Sequence, residues 1–366
     1  MYGDAYITYE NTYGVPYISG TTNESIAFAI GYSHAMDRLY DLNFHRAMAA
    51  GRLSEYFGKE ALEFDRYMRS LQLSKLAARE LLLLNTQNPY NINFLQAYTA
   101  GINEYVKGLT IRPIELLLSG VTFDPWTIKD SLMIFKMFSL SLSEHWKLTA
   151  LRTVIANKCG KQLAERLVPF KDVTDGLFEN IAAINPLDIP MNNIDLILKY
   201  EQIKDTSFEV VADSGIDFKF LKNLKFRGKI DWTGSSAWAI HKSKSVNSKT
   251  LFGSSVNGAH NVPSELYMMS IKYPQGPNLM GGTMVGFPLI LFGRNENVGW
   301  SISTSFIENI DLYSIRISTD HRKYYCGGIW RDLEVSEEVI KVKDKTKITH
   351  TVFKTHYGPV INFNRK

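Results

Sequence analysis

Several things are scarce in this chain, and each scarcity removes a class of protein. It has two cysteines in 366 residues, Cys159 and Cys326, far apart in sequence and outside any metal-ligand spacing. They can pair or stand as two free thiols, and free thiols are the expectation. No apolar run approaches the ~18 residues that a membrane-spanning helix needs, so no membrane partner is expected. Net charge is only +4, from 41 basic against 37 acidic residues. With no Lys/Arg block standing out, no nucleic-acid partner is expected either. Internal repeats and low-complexity tracts are missing, and the histidines fall into no HExxH or related spacing. Met1 is followed at once by polar Tyr2-Gly3-Asp4 rather than by a basic and apolar leader, so no secretion signal is expected in the sequence as written.

What the chain does have is apolar content, 45%, enough for a large core in one large domain or about two. Residues 5–19 alternate β-formers around an Asn-Thr-Tyr-Gly turn and predict a hairpin. From Asn23, an expected N-cap, the pattern turns helical: Ile26, Ala29, Ile30 and Ser33 recur toward Met36, Leu39 and Leu42. Further helical segments run to about residue 165, punctuated by Gly51, Gly58, Gly101, Gly108, Gly120 and Gly160. Residues 184–234 lose this periodicity and read as a connector. After Ser235 the chain is strand-rich: SSAWAI, TLFGSSV, LYMMSIKYP, PLILFG, VGWSIST, and strands around VIKVKD and ITHTVFKT. The segments expected are 1–190 (hairpin plus helices), 191–234 (spacer) and 235–366 (a β-rich region).

Two serine-centred motifs compete for a nucleophile. Gly31-Tyr32-Ser33-His34-Ala35 mimics a GxSxG elbow, but that elbow needs a preceding strand and a sharp turn, and here the preceding residues are helical. The second is Gly234-Ser235-Ser236-Ala237-Trp238, a Gly-Ser bond opening a strand. Such a bond can cut itself and expose a serine whose own α-amine, with a pKa of ~7.7–8.0, serves as its base. Glycine leaves the attacked carbonyl uncrowded. Strand alternation puts Ser235, Ala237 and Ala239 on one side, Trp238 and Ile240 on the other.

Ordered motifs run through most of the chain. They are Tyr13-Gly14-Val15-Pro16-Tyr17-Ile18, Gly31 to Leu39 (GYSHAMDRL), Gly51 to Gly58 (GRLSEYFG), Pro113-Ile114-Glu115, and Asp124-Pro125-Trp126-Thr127 with Asp130-Ser131-Leu132. In the second half they continue with Gly234 to Trp238, Gly286-Phe287-Pro288, Phe292-Gly293-Arg294-Asn295-Glu296, and Trp300. In this order they resemble the motifs of the penicillin acylase family of N-terminal nucleophile amidohydrolases. The resemblance implies an α+β fold with a four-layer αββα sandwich, cleavage between Gly234 and Ser235, and α and β chains that stay associated. It implies a hydrolase of linear amides acting on a small N-acyl substrate of the penicillin, cephalosporin or acyl-homoserine lactone kind, in the periplasm or outside the cell.

By that resemblance Ser235 is nucleophile and α-amine base, and Thr304 supplies a backbone oxyanion donor. Asn257 stands where relatives carry His or Gln, with His260 as a substitute if the loop is shifted. Phe138, Met137 and Phe292 correspond to the acyl pocket, with Trp146 and Phe287 as further aromatic candidates. A structural Ca²⁺ would be held by Glu144, Glu308, the Ile310 carbonyl and Asp311, hard oxygen donors that suit it; no organic cofactor is implied. Family β-chains are roughly twice as long as the stretch after Ser235, and the second oxyanion donor lies in that further stretch. Loss of one such donor costs ~2.7–4 kcal/mol. The alternative reading is therefore a truncated, catalytically silent remnant that at most binds a ligand or partner.

Overall fold

The computed structural model describes residues 2–143, 146–168, 234–258, 262–303, 309–344 and 346–361. The chain forms two compact units, one of Met1–Ser143, Asn223–Phe306 and Arg316–Ile361, the other of Glu144–Lys222, Ile307–Ile315 and Asn362–Lys366. Both draw on chain from either side of Gly234.

The first unit opens with the expected hairpin, β1 (Ala5–Tyr9) and β2 (Pro16–Gly20), paired antiparallel. The Glu10 carboxylate shapes its turn by accepting from the Thr12 and Tyr13 amides, both at 2.6 Å. Helix α1 (Asn23–Ala50) follows. Its N-cap is Thr22 rather than Asn23: Thr22 and Ser25 exchange side-chain and backbone hydrogen bonds in a capping box. The helix ends where Gly51 turns left-handed at φ 62°. Ile26, Ala29, Ile30, Ser33, Leu39 and Leu42 are buried as the spacing predicts, while Met36 is exposed.

Short α2 (Ser54–Phe57) and α3 (Leu62–Leu71) come next, then α4 (Leu73–Gln87), α5 (Pro89–Lys107), α6 (Ile114–Ser119) and α7 (Ile128–Ser141). Gly101 does not punctuate this series. It lies inside α5, where a Cβ would strike the Phe28 carbonyl of α1, just as a Cβ on Gly31 would strike the Tyr98 carbonyl of α5. The two helices cross backbone to backbone, and each needs its glycine there. A capping box between Thr127 and Asp130 starts α7.

The expected spacer, 191–234, lies outside the described residues apart from Gly234. β3 (Gly234–Ile240) and β4 (Leu251–Asn257) form a separate antiparallel pair. The largest sheet has the order β1-β2-β5-β6-β7-β8, adding β5 (Tyr267–Lys272), β6 (Leu279–Thr283), β7 (Phe292–Arg294) and β8 (Gly299–Trp300). β2 and β5 run parallel, with Ile18 opposite Ile271. Period-two alternation buries Ile18, Tyr267, Met269 and Ile271, and leaves Tyr17 and Met268 exposed on the opposite side. Two three-stranded sheets complete the unit. One is β9 (Arg316–Ile317), β10 (Lys323–Cys326) and β11 (Ile329–Asp332); the other is β12 (Glu334–Lys341), β13 (Lys347–Thr355) and β14 (Gly358–Pro359). Arg69 of α3 ties the last sheet to the helices through Glu338 at 3.0 Å. Within the second unit, α8 (Trp146–Cys159) and α9 (Lys161–Leu167) are described. Fold class is thus α+β, as expected. No described helix is long and apolar enough to cross a membrane, and both cysteines are free thiols.

Candidate active site

The GxSxG mimic resolves first. Ser33 and His34 lie in the middle of α1, both fully buried, so there is no strand-to-helix elbow and no exposed nucleophile. His34 instead organises the interior. Its Nδ1 is 2.9 Å from Tyr98 Oη, and that same oxygen accepts from the Gly286 amide at 3.1 Å. Gly286 has φ +94°, and a Cβ there would come within 2.6 Å of Ile134, so only glycine fits. Next to it Phe287 stacks on Phe135 at 4.6 Å. The Gly-Phe-Pro motif is thereby fixed against α5 and α7. Burial pushes the His34 imidazole down to about 3 and drives the Tyr98 phenol well above its ordinary range.

Ser235 is the second residue of β3, half-buried, and donates from Oγ to Ser303 Oγ at 2.8 Å. In the ladder Ser235 faces Val256 and Gly234 faces Asn257, so the backbone puts the expected Asn257 beside the Gly234-Ser235 bond. Alternation along β3 follows the sequence. Trp238 lies over its cross-strand partner Gly253, where a Cβ would collide with the indole. Ala237 faces Ser254, whose Oγ is 2.7 Å from Ser301 Oγ. Ser301 and Ser303 thus hold the Ser235 side of the hairpin from the segment after β8. Their two-residue spacing in Ser301-Ile302-Ser303 was the available signal, and sequence reasoning passed over it. Ala237, Trp238 and Ala239 are exposed.

Thr304 and His260 lie outside the described residues, as do Glu144 and Glu308. Of the expected calcium ligands only Ile310 and Asp311 are described, Asp311 exposed. A carboxylate and a peptide carbonyl are the right donors for Ca²⁺, yet no group of three or more His, Cys, Asp or Glu that could hold a metal forms among the described residues. Met137 and Phe138 on α7 and Phe292 on β7 are all buried in the first unit, and Trp146 is buried in the second. Two surface cavities, one beside Arg46 and Arg52 and one beside Tyr40 and Phe57, are lined by none of these, nor by Ser235.

Comparison with known proteins adds an independent line. The chain is 29% identical over 357 residues to the acyl-homoserine lactone acylase QuiP of Pseudomonas syringae pv. tomato, covering 96% of this chain and 40% of that protein. It is 26% identical over 392 residues to penicillin G acylase of Escherichia coli, covering 95% of this chain and 45% of that one. A solved penicillin G acylase from Alcaligenes faecalis superposes with TM-score 0.39 and 19% identity over 48% of this chain and 95% of that chain, too slight a likeness to carry the architecture. The chain thus spans less than half the length of the curated relatives it matches. The penicillin amidase family pattern matches residues 4–366, nearly the whole sequence, and the chain belongs to the penicillin amidase family.

Proposed function

We propose that this chain carries the nucleophile of an N-acyl amide hydrolase that matures by cutting itself at Gly234-Ser235. The observation that carries the reading is the position of Ser235: second in a strand, after glycine, its hydroxyl held by Ser303 at 2.8 Å inside a chain matched by the family along nearly its whole length. In the first step Ser235 Oγ attacks the Gly234 carbonyl carbon, the C–N bond breaks, and the acyl group moves from nitrogen to oxygen with one proton transferred to the freed nitrogen. Water then hydrolyses the ester, leaving a Gly234 carboxylate and a free Ser235 α-amine. The 191–234 segment acts as the spacer.

In turnover the unprotonated α-amine takes the Ser235 hydroxyl proton while Oγ attacks the substrate amide. The amine product leaves with that proton. Water, activated by the same α-amine, then releases the carboxylic acid. The Thr304 backbone amide serves the oxyanion, Asn257 takes the catalytic place that His or Gln holds in relatives, and Met137, Phe138 and Phe292 shape the acyl pocket. Ca²⁺, held by Glu144, Glu308, Ile310 and Asp311, is structural and enters no step. A four-layer sandwich around Ser235 and a location in the periplasm or outside the cell belong to the same reading.

Mass spectrometry of the expressed chain tests it. A new N-terminus at Ser235 is expected, and Ser235→Ala should leave the chain whole and abolish hydrolysis of phenylacetyl or fatty-acyl amides. A wild-type chain that stays intact under conditions where it is folded rejects self-processing.

A further inference from the structure

A cavity of about 340 Å³ lies between α1, the loop after α6 and the β12–β13 hairpin, and five cationic side chains line it: Arg46, Arg52, Lys341, Lys343 and Lys347. Their charges are not equally spent. Arg46, 4% exposed, donates to the Asp124 carbonyl at 2.9 Å and to Asn43 Oδ1 at 2.5 Å, with Asp130 at 3.9 Å. Arg52 is held by Glu55 at 2.8 Å and Asp124 at 3.3 Å. The three lysines are exposed, and among the described residues none forms an ion pair. Lys341 and Lys347 are direct cross-strand partners, an arrangement that repulsion disfavours unless an anion sits between like charges. The Lys343 amide is fixed to the Ser54 carbonyl at 2.9 Å, which holds the hairpin tip against α2.

The second cavity, about 400 Å³, shares Tyr56 and Lys343 with the first. Its other walls are chiefly apolar: Tyr40, Phe57 and Leu118, with Glu115 its only carboxylate. Leu118 is 79% and Phe57 42% exposed, large apolar surfaces left uncovered beside a focus of positive charge. A cationic cavity that shares Tyr56 and Lys343 with a chiefly apolar groove fits a ligand with an acidic head and an apolar tail.

We propose that this pair of cavities binds a small anionic amphiphile, its acidic head among Lys341, Lys343 and Lys347 and its tail along Tyr40, Phe57 and Leu118. Ser235 lines neither cavity, and the inference does not rest on amide hydrolysis. Isothermal titration of the full chain with decanoate below its micelle concentration tests it. Saturable one-site binding is expected. Acetate should bind at least tenfold more weakly, and decyltrimethylammonium should not compete. Lys341→Glu combined with Lys343→Glu and Lys347→Glu should weaken decanoate at least tenfold, and Leu118→Asp about fivefold. These side chains are exposed, and an unchanged melting curve shows the variants folded. Equal decanoate affinity in the folded lysine variant, as binding in the acyl pocket would give, overturns the proposal. So does equal binding of the cationic detergent, or no decanoate binding at all. Sedimentation of the protein with anionic phospholipid vesicles, without binding of free decanoate, identifies a membrane-facing patch instead and also overturns it.

Discussion

His34 has one ring nitrogen engaged with Tyr98 and the other, Nε2, buried with no polar partner among the described residues. It packs edge-on against the rings of Tyr98 and Tyr267. A folded pKa near 3 against an ordinary 6.5 means that above pH 6.5 both folded and unfolded chains hold it neutral. As pH falls below 6.5 the unfolded chain takes up a proton that the folded chain refuses, so stability is lost, by about 1.4 kcal/mol per pH unit toward pH 3. Urea midpoints at pH 7 and pH 5 should therefore differ more for the wild type than for His34→Gln. His45 and His350 are lowered too, mainly by burial, and they supply the slope that survives in the variant. An unchanged slope in His34→Gln would assign the effect elsewhere. The sequence placed His34 on a helix but not this role, because a buried ring at helical spacing carries no mark of which hydroxyl will meet it from 64 residues away.

At the scale of elements, the crossing of α1 and α5 is the tightest joint described. Gly31→Ala or Gly101→Ala must push the crossing backbones away from each other, and each should cost about 1–3 kcal/mol, read as a lowered urea midpoint with an unchanged m-value. In the β3–β4 pair, Gly253→Ala should displace Trp238 and shift its fluorescence, since the indole occupies the place of the added methyl. Unaltered emission would show that Trp238 does not rest there. Elements with strong local signals were legible: the first hairpin, α1, β3, β4, β5 and β13 lie close to where alternation and helical spacing put them. β6 was not, because Leu279-Met280-Gly281-Gly282-Thr283 has the composition of a loop and becomes a strand only by lying between β5 and β7. PLILFG and VGWSIST shrink to β7 and β8, three and two residues. VIKVKD gives way to a strand that begins at Glu334 and stops at Lys341. β9 to β11 escaped notice for the same reason as β6: short pairings carry little pattern of their own.

For the whole molecule, the large sheet joins chain that precedes Gly234 to chain that follows it. β1 and β2 come from the earlier stretch and β5 to β8 from the later, sewn by the parallel ladder at Tyr17-Ser270, Ile18-Ile271 and Ser19-Lys272. Arg69 to Glu338, Arg38 to the Ser264 carbonyl at 2.8 Å, and Tyr98 to Gly286 add ties across the same division. Scission at Gly234-Ser235 should therefore leave two pieces that co-elute on size exclusion in buffer and separate only in denaturant. Separation in buffer would mean that these ties do not hold the pieces. The candidate site divides along similar lines: Ser235, the proposed nucleophile, and its strand could be read locally, whereas Ser301 and Ser303 meet the hairpin only through tertiary pairing.

That ladder also imposes an order on synthesis. β2 is finished at Gly20 and its parallel partner begins at Tyr267, a wait on the order of 10–50 s at the usual ~5–20 residues per second of translation. During it β2 has an open edge, the kind that recruits foreign strands. The helices from α1 to α7, whose contacts are nearer in sequence, can gather first. The ribosome thus delivers a helical cradle with a waiting hairpin, and slowing translation between these two points should lengthen the exposure and lower the soluble yield.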